Sequence, residues 1–369
     1  MQERRLTTHR ALQYQRGFSL IELMIALVLG LFLIAGMLSL VVRNSDMRSE
    51  LDKAGRQIEN GRYAVQKLSE DLRHAGFYGE FYGIPAPVSS PADPCLTTLA
   101  EIRTAMSFPI QGITAASSST RPSCISSANF VASSNVLVVR FASPQVTLQN
   151  WAVTPTAATA AIATLNDGVL YMQPNVDGVA FATKLAAATT FNTLKVSSGS
   201  ATNLINAPVY RYITRIYFLS PCSRPASGAT CSATADGGSP IPTLKMTELI
   251  SGGAGSSTPA FSDPISVAEG IERLEFDYGI DTAPTTLDGA PDSYVNCSSC
   301  SLTQWANVVS VRINLVARNT QPSMGYIDSK TYALGLAGTY TPTGAALAFK
   351  RHVYQMQVRL NNPSMRREL

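Results

Sequence analysis

Residues 16–42 read RGFSLIELMIALVLGLFLIAGMLSLVV, and the part from Leu23 to Val42 contains no charged residue. A helix of that length rises about 30 Å, which matches the hydrocarbon thickness of a bilayer. The preceding leader, residues 1–17, carries four arginines and one acid. Because positive charge is retained on the cytoplasmic side, we expect the leader to stay in the cytoplasm and the following chain to cross the membrane.

An ordinary secretory signal that is cleaved and lost is the alternative interpretation of this segment. Such signals have a shorter apolar region that ends in a small-residue cleavage site. Here the apolar run is long, and the residues after Val42 read RNSD, which favours a continuing helix. The sequence therefore favours a helix that remains attached to the exported part of the chain.

The junction before the apolar run resembles the class III signal of type IV prepilins and pseudopilins. The residues that carry the resemblance are Arg16, Gly17, Phe18 and Glu22. It implies that a membrane prepilin peptidase cuts after Gly17 and methylates the amine of Phe18. It also implies that Glu22 pairs with the N-terminal amine of an adjacent subunit. An ionisable side chain at the edge of the hydrocarbon region is costly and usually functional, which agrees with that role.

The sequence beyond the apolar run predicts that the same helix continues to about Ala75. Between Val42 and Gly79 there is no proline, and apolar or small residues recur every three or four positions. They form one stripe: Leu51, Ala54, Ile58, Gly61, Val65, Leu68, Leu72 and Ala75. The interspersed charges, among them Lys67, Glu70 and Asp71, predict a solvated face. Gly55 and Gly61 are expected weak points where the helix could bend or fray.

The end of this helix and the last third of the chain resemble PilW minor pilins. The matching elements are ENGRYA at 59–64, LSEDLRHAGFYG at 68–79 and VAEGIERLEFDYGID at 267–281. A strand at 308–318 and the element Arg359-Leu360-Asn361 complete the resemblance. It implies a pilin-like α+β fold with four parts: a leader at 1–17, a transmembrane or filament-core helix at 18–42, its amphipathic continuation at 43–78 and an extracytoplasmic β-rich head at 79–369.

Alternating apolar and polar residues predict antiparallel strands in the head. The predicted strands lie at 136–141, 210–219, 274–280, 309–315 and 354–360, and long Ser-, Thr- and Ala-rich connections are expected at 85–135, 152–165, 197–203 and 251–260. The six cysteines all follow the apolar run, which favours disulfides in an oxidising compartment. Sequential pairing, one of several possible connectivities, would join Cys95 to Cys124, Cys222 to Cys231 and Cys297 to Cys300.

The sequence contains no recognisable catalytic or metal-binding motif. His74 and His352 are far apart, and Cys297-Ser298-Ser299-Cys300 lies in a Ser-rich stretch rather than at an evident helix start, which favours a structural disulfide over a redox or zinc site. Asp281, Asp288 and Asp292 lack the spacing of a calcium-binding loop. The chain after residue 17 carries 25 basic and 24 acidic residues. This balance predicts no basic surface for nucleic acid, and we expect no cofactor, no metal and no enzyme activity.

The resemblance therefore implies a structural protein that primes type IV pilus assembly at or near the pilus tip. Its expected partners are the prepilin peptidase, the major pilin, other minor pilins, the inner-membrane assembly platform and a tip adhesin. It would first span the inner membrane once, with its head in the periplasm, and later reach the pilus and cell surface. The alternatives are a minor pseudopilin of a type II secretion system and a membrane-anchored extracytoplasmic enzyme or binding module.

Overall fold

The computed structural model describes residues 17, 19–84, 93–116, 120–149, 151, 155–197, 204–253, 255–282 and 288–368. The chain divides into two compact units, Met1–Asp52 and Lys53–Leu369. The long helix α1, Leu20–His74, begins in the first unit and ends in the second. The other helices are α2 (Leu99–Ala105), α3 (Pro155–Ala163), α4 (Lys184–Thr190), the single turn α5 (Ala235–Gly238), α6 (Leu302–Ala306) and α7 (Asn361–Met365).

The second unit contains two main antiparallel sheets. Their strands, with the short ribbons, are β1 (Ile110–Ala116), β2 (Ser134–Leu148), β3 (Leu170–Pro174), β4 (Val179–Thr183), β5 (Lys195–Ser197), β6 (Leu204–Asn206), β7 (Val209–Ser220), β8 (Thr243–Ser251), β9 (Pro259–Phe261), β10 (Ile265–Glu269), β11 (Ile271–Ile280), β12 (Ser293–Val295), β13 (Val308–Arg318), β14 (Tyr332–Ala333), β15 (Thr339–Tyr340) and β16 (Arg351–Arg359). An eight-stranded sheet follows the order β1-β2-β7-β3-β4, with β8 also pairing with β7, β9 and β10. A four-stranded sheet has the order β12-β11-β13-β16.

The main core of the head combines α1 with both sheets. Ala64, Leu68 and Leu72 of α1 are completely buried and pack in one apolar cluster with residues of both sheets, such as Tyr217 of β7 and Leu315 of β13. Burial of such side chains contributes about 1.5–3 kcal/mol each, so this cluster is a principal source of the stability of the head. The fold is α+β, as the sequence predicts.

The end of α1 lies where its glycines predict it. Gly76 has a φ of +74°, a conformation that a glycine adopts without steric cost. The C-terminal segment donates hydrogen bonds to the carbonyls that directly follow the helix. Asn362 Nδ2 donates to Ala75 O at 3.1 Å, and Arg366 Nη2 donates to Gly76 O at 2.9 Å. The last residues of the chain therefore stabilise the end of its first helix.

Several sequence-based expectations for the head are wrong. The predicted connection at 85–135 contains helix α2 and strand β1, and the one at 152–165 contains helix α3. The expected loop at 197–203 lies largely outside the described residues. The element at 267–281 spans the end of β10 and all of β11, and Gly270, with a φ of +76°, turns the chain between them; the strand predicted at 274–280 lies within β11. A Cβ atom at Gly270 would lie 2.4 Å from Arg318 O.

The apolar stripe of α1 is buried only in its second half. Leu51 and Ile58 remain exposed, whereas Gln57 is buried and its Nε2 donates to Ala317 O at 2.8 Å. Asp71, which the sequence places on a solvated face, is 2% exposed. The face of the helix that docks on the head is therefore partly polar, and a simple apolar stripe does not describe it.

Candidate processing and assembly site

The expected processing junction lies at the very start of α1. Gly17 is exposed, and no atom lies within 4 Å of the position of an added Cβ. Phe18 lies outside the described residues. The helix begins with Leu23 N donating to Ser19 O at 3.0 Å, which places Glu22 in the first turn. A carboxylate at this position interacts favourably with the helix dipole, by about 0.3–1 kcal/mol. Gly17, on the N-terminal side of the expected cut, is thus unobstructed by described residues.

The apolar residues of the first unit have no partner within the described chain. α1 contains an 18-residue stretch that is long and apolar enough to cross a membrane, and none of it is buried. Leu20 is 77% exposed and Phe32 is 74% exposed. Gly30 and Gly36 have no atoms within 4 Å of an added Cβ, so their surface is open to close approach by another helix. A surface this apolar requires lipid or other helices around it.

Gly61 is a contact point between α1 and the head rather than a weak point. A Cβ at this position would lie 2.2 Å from Cε2 of Tyr354, so the tyrosine ring packs directly on the helix backbone. The Tyr354 hydroxyl donates to Ile58 O at 3.1 Å. Asn60 Nδ2 donates to Glu269 O at 3.1 Å. The ENGR segment therefore fits α1 against β16 and the end of β10.

Asp71 joins α1 to the eight-stranded sheet through charged hydrogen bonds. Arg215 Nη1 of β7 donates to its two carboxylate oxygens at 2.7 and 2.9 Å, and the Tyr217 hydroxyl donates to Oδ2. Arg215 Nε also donates to Glu248 of β8 at 2.8 Å. Burial alone lowers the pKa of Arg215, but the carboxylates of Asp71 and Glu248 outweigh it and raise that pKa. Burial and the Asp71 carboxylate raise the pKa of Tyr217 well above its usual value.

The sequence analysis missed this cluster because its members are far apart in the chain. Asp71 and Arg215 are separated by 144 positions, and each looks like an ordinary surface charge on its own element. The only available signal is the position of Asp71 beside the buried Leu72, on the side of α1 that faces the head. The cluster fixes the rotation of the helix, since a turned helix would leave Arg215 without one of its two carboxylates.

The structure joins the six cysteines in sequential pairs. Disulfides link Cys95 to Cys124, Cys222 to Cys231 and Cys297 to Cys300. The last pair directly precedes Ser301, which caps the short helix α6 through a capping box with Gln304. The expectation that no helix starts beside this pair is therefore wrong.

The acidic loop residues of the head are engaged in hydrogen bonds. Asp281 accepts from Gly289 N at 3.0 Å, and Asp292 accepts from Thr282 N at 2.7 Å. Within the described ranges, no group of three or more His, Cys, Asp or Glu side chains is arranged to hold a metal ion. These carboxylates stabilise turns, which is the structural role that their spacing favours.

Two family models match the chain. Residues 12–38 match the prokaryotic N-terminal methylation motif, and residues 230–362 match the type IV pilus-assembly protein W family, PilW. The first range contains Gly17, Glu22 and most of the exposed apolar helix. The second begins before β8 and ends within α7. Together, the two matches support a PilW-like type IV pilin.

Residues 59–79, whose sequence resembles PilW, lie outside both matched ranges. The docking of α1 on the head is therefore supported by its contacts and not by the family matches. A type IV-like pilin from Thermus thermophilus is 14% identical and matches over 56% of this chain and 96% of its own, with a TM-score of 0.19. At that score the two chains do not superpose closely. No curated protein matches the sequence.

Proposed function

We propose that this PilW-like pilin is a minor pilin that primes type IV pilus assembly at or near the filament tip. The observation that carries the proposal is the apolar surface of residues 20–42, which is exposed in a chain whose second unit has its own core. Lipid covers that surface before assembly, and the helices of other subunits cover it afterwards. The priming role and the tip position follow from the likeness to PilW pilins.

Processing between Gly17 and Phe18 would create the amine that assembly needs. The exposed glycine gives a peptidase access to the backbone. In a bundle of apolar helices, Glu22 and the new amine of an adjacent subunit would neutralise each other. Leaving one of them buried alone costs about 3–5 kcal/mol, so the pair also fixes the axial position of each subunit.

The proposed location is the inner membrane, with the head in the periplasm, followed by the pilus. The three disulfides support it, because such bonds persist in oxidising compartments. The arginines of the leader support the same orientation.

Mass analysis of filaments sheared from cells tests the processing and the assembly together. We expect a mature chain that begins at methylated Phe18. A chain that begins after Val42, or is absent from filaments, would contradict the proposal. Recovery in fibres of a type II secretion system would instead support the pseudopilin alternative.

Substitution of Glu22 tests the assembly charge. Glu22→Gln removes the carboxylate, and we expect about a hundredfold less of the chain in filaments, which corresponds to about 3 kcal/mol, with an unchanged amount in the membrane. Asp52→Asn, which changes an exposed acid of the same helix, is the matched control and should leave incorporation unchanged. Equal incorporation of the two variants would refute the role of Glu22. Counts of pili per cell in a deletion strain, and labelling of filament tips, test the priming role.

A further inference from the structure

The outer edge of β16 is a long strand edge without a partner. Among the described strands, β16 pairs only with β13, in an unbroken register from Ser310 opposite Arg359 to Arg318 opposite Arg351. Beyond its end, Leu360 N donates to Val309 O at 2.8 Å. Because hydrogen-bonding residues alternate in an antiparallel pair, the backbone groups of Val353, Gln355, Gln357 and Arg359 point away from β13. Across the described residues, nothing hydrogen-bonds to these outward groups.

Other sheet edges of this head are interrupted or short, as is usual for edges that must not pair. The register of β1 shifts between Ile113 and Ala116, and β12 has only three residues. β16, by contrast, has nine residues with no bulge, proline or lysine. Gln355, Gln357 and Arg359 are exposed. An open strand of this length is a template for β-strand addition.

The direction of β16 indicates which kind of partner fits this edge. The Tyr354 hydroxyl contacts Ile58 O, and Asn362, just after β16, contacts Ala75 O, just after α1. β16 and residues 58–74 of α1 therefore run in the same direction. Two copies that paired antiparallel through β16 would therefore place these helix segments in opposite directions. Subunits that enter one filament from one membrane cannot adopt that arrangement.

Charge also disfavours a second copy of this chain. Parallel pairing of two copies in register would place the exposed Arg359, whose own partner is Glu368, opposite a second Arg359. Like charges directly opposite each other destabilise paired strands. A different subunit can supply an uncharged or acidic residue at that position.

We infer that β16 is a docking edge that accepts an extended strand from the head of a different pilin-like subunit. This inference rests on the proposed function, because the partner is another chain held parallel to this one by its own N-terminal helix. The partner strand hydrogen-bonds to Val353, Gln355, Gln357 and Arg359 and extends the four-stranded sheet by one strand.

Photo-crosslinking in intact cells tests the docking edge. The full-length chain carries p-benzoylphenylalanine at position 357, and the matched control carries it at Gln145, an exposed glutamine of β2. We expect a light-dependent adduct only at position 357, and the captured chain should begin with a methylated residue released from a prepilin signal. No adduct, a partner without such a processed N-terminus, or an adduct with a second copy of this chain would overturn the inference.

A backbone substitution tests strand pairing itself. Gln355→Pro removes one outward N–H group and leaves the donors of residues 354 and 356 to β13, whereas Gln355→Thr keeps the N–H group. We expect the adduct at position 357 to fall about tenfold for proline, as loss of one or two hydrogen bonds predicts, and to persist for threonine. Should the proline variant fail to fold, Gln355→Lys combined with Val353→Lys obstructs the edge with charge and should give the same loss. Unchanged adducts in a folded variant would refute pairing.

The outcome also separates this inference from the proposed function. A chain that is processed at Phe18 and present in filaments, yet gives no pilin adduct at position 357, would overturn the docking edge alone. A chain that never enters filaments would overturn both.

Discussion

Substitution of two glycines in the same helix gives the sharpest test of how α1 docks on the head. In a helix interior, replacing glycine by alanine stabilises by about 1 kcal/mol through helix propensity. Gly55 has no atom within 4 Å of an added Cβ, whereas at Gly61 that Cβ would lie 2.2 Å from the ring of Tyr354. Gly55→Ala should therefore stabilise the protein, and Gly61→Ala should destabilise it.

The magnitude follows from the displaced tyrosine. Overpacking of a closely packed contact costs about 1–3 kcal/mol, and loss of the hydrogen bond from the Tyr354 hydroxyl to Ile58 O costs about 1 kcal/mol more. With the gain in propensity subtracted, we expect Gly61→Ala to lower the free energy of unfolding by about 2 kcal/mol. The two variants should then differ by about 3 kcal/mol, or roughly 6–12 °C in Tm.

Thermal unfolding of the full-length chain in detergent, followed by near-ultraviolet circular dichroism, measures this difference. The variant Gly61→Ala in a Tyr354→Ala background should recover the propensity gain, because the obstructing ring is gone; the coupling between the two sites is then about 3 kcal/mol. If Gly61→Ala is as stable as Gly55→Ala, the close contact is absent and the account of the ENGR segment is wrong.

Three further predictions concern the head. Asp71→Asn should destabilise the head by about 3 kcal/mol because the buried charge of Arg215 loses a partner. Glu70→Gln, at an exposed neighbour, should change the free energy of unfolding by no more than about 0.5 kcal/mol. Equal denaturation midpoints of the two variants in urea would contradict this prediction. Burial raises the pKa of Glu275 from 4.5 to about 7, so the folded state holds a proton that the unfolded state loses between those values. The free energy of unfolding should therefore fall, by at most about 3 kcal/mol, as the pH rises through that window. Glu275→Gln should remove this fall, which melting curves at pH 5 and pH 8 would measure. The Cβ of Gly270→Ala would meet a backbone carbonyl, whereas that of Gly228→Ala, at a similar positive φ, would meet no atom within 4 Å. Gly270→Ala should therefore lower Tm more than Gly228→Ala. Similar Tm values would mean that the positive φ alone explains the loss of stability.

The local sequence predicts α1, the strands and the processing junction. α1 follows from an apolar run and the lack of proline, and β11 and β13 follow from strict alternation. The junction of Gly17 and Glu22 is readable because its residues are neighbours in the chain. These features need no knowledge of distant contacts.

Other features depend on contacts that the sequence does not show. Helix α3 lies in an Ala- and Thr-rich segment whose composition suits a loop equally well, so its helical state depends on packing. From the sequence alone, Asp71 is interpreted as a surface charge and Gly61 as a weak point of the helix. Their roles depend on contacts with Arg215 and Tyr354, which the local sequence does not show. For Asp71 and Gly61 the partner lies more than a hundred positions away.

The hydrogen bonds that attach the second half of α1 to the head have a mechanical consequence. This half of α1 is bonded along its length to several separate elements of the head: Gln57 to β13, Asn60 to β10 and Asp71 to β7, with Ala75, just past its end, bonded to α7. Tension applied along the helix axis would load these attachments side by side, in shear, so that they must break together. A force that pulled the helix outward from one end would break them in succession. Such a subunit should resist traction along the axis of its helix far better than peeling from the side.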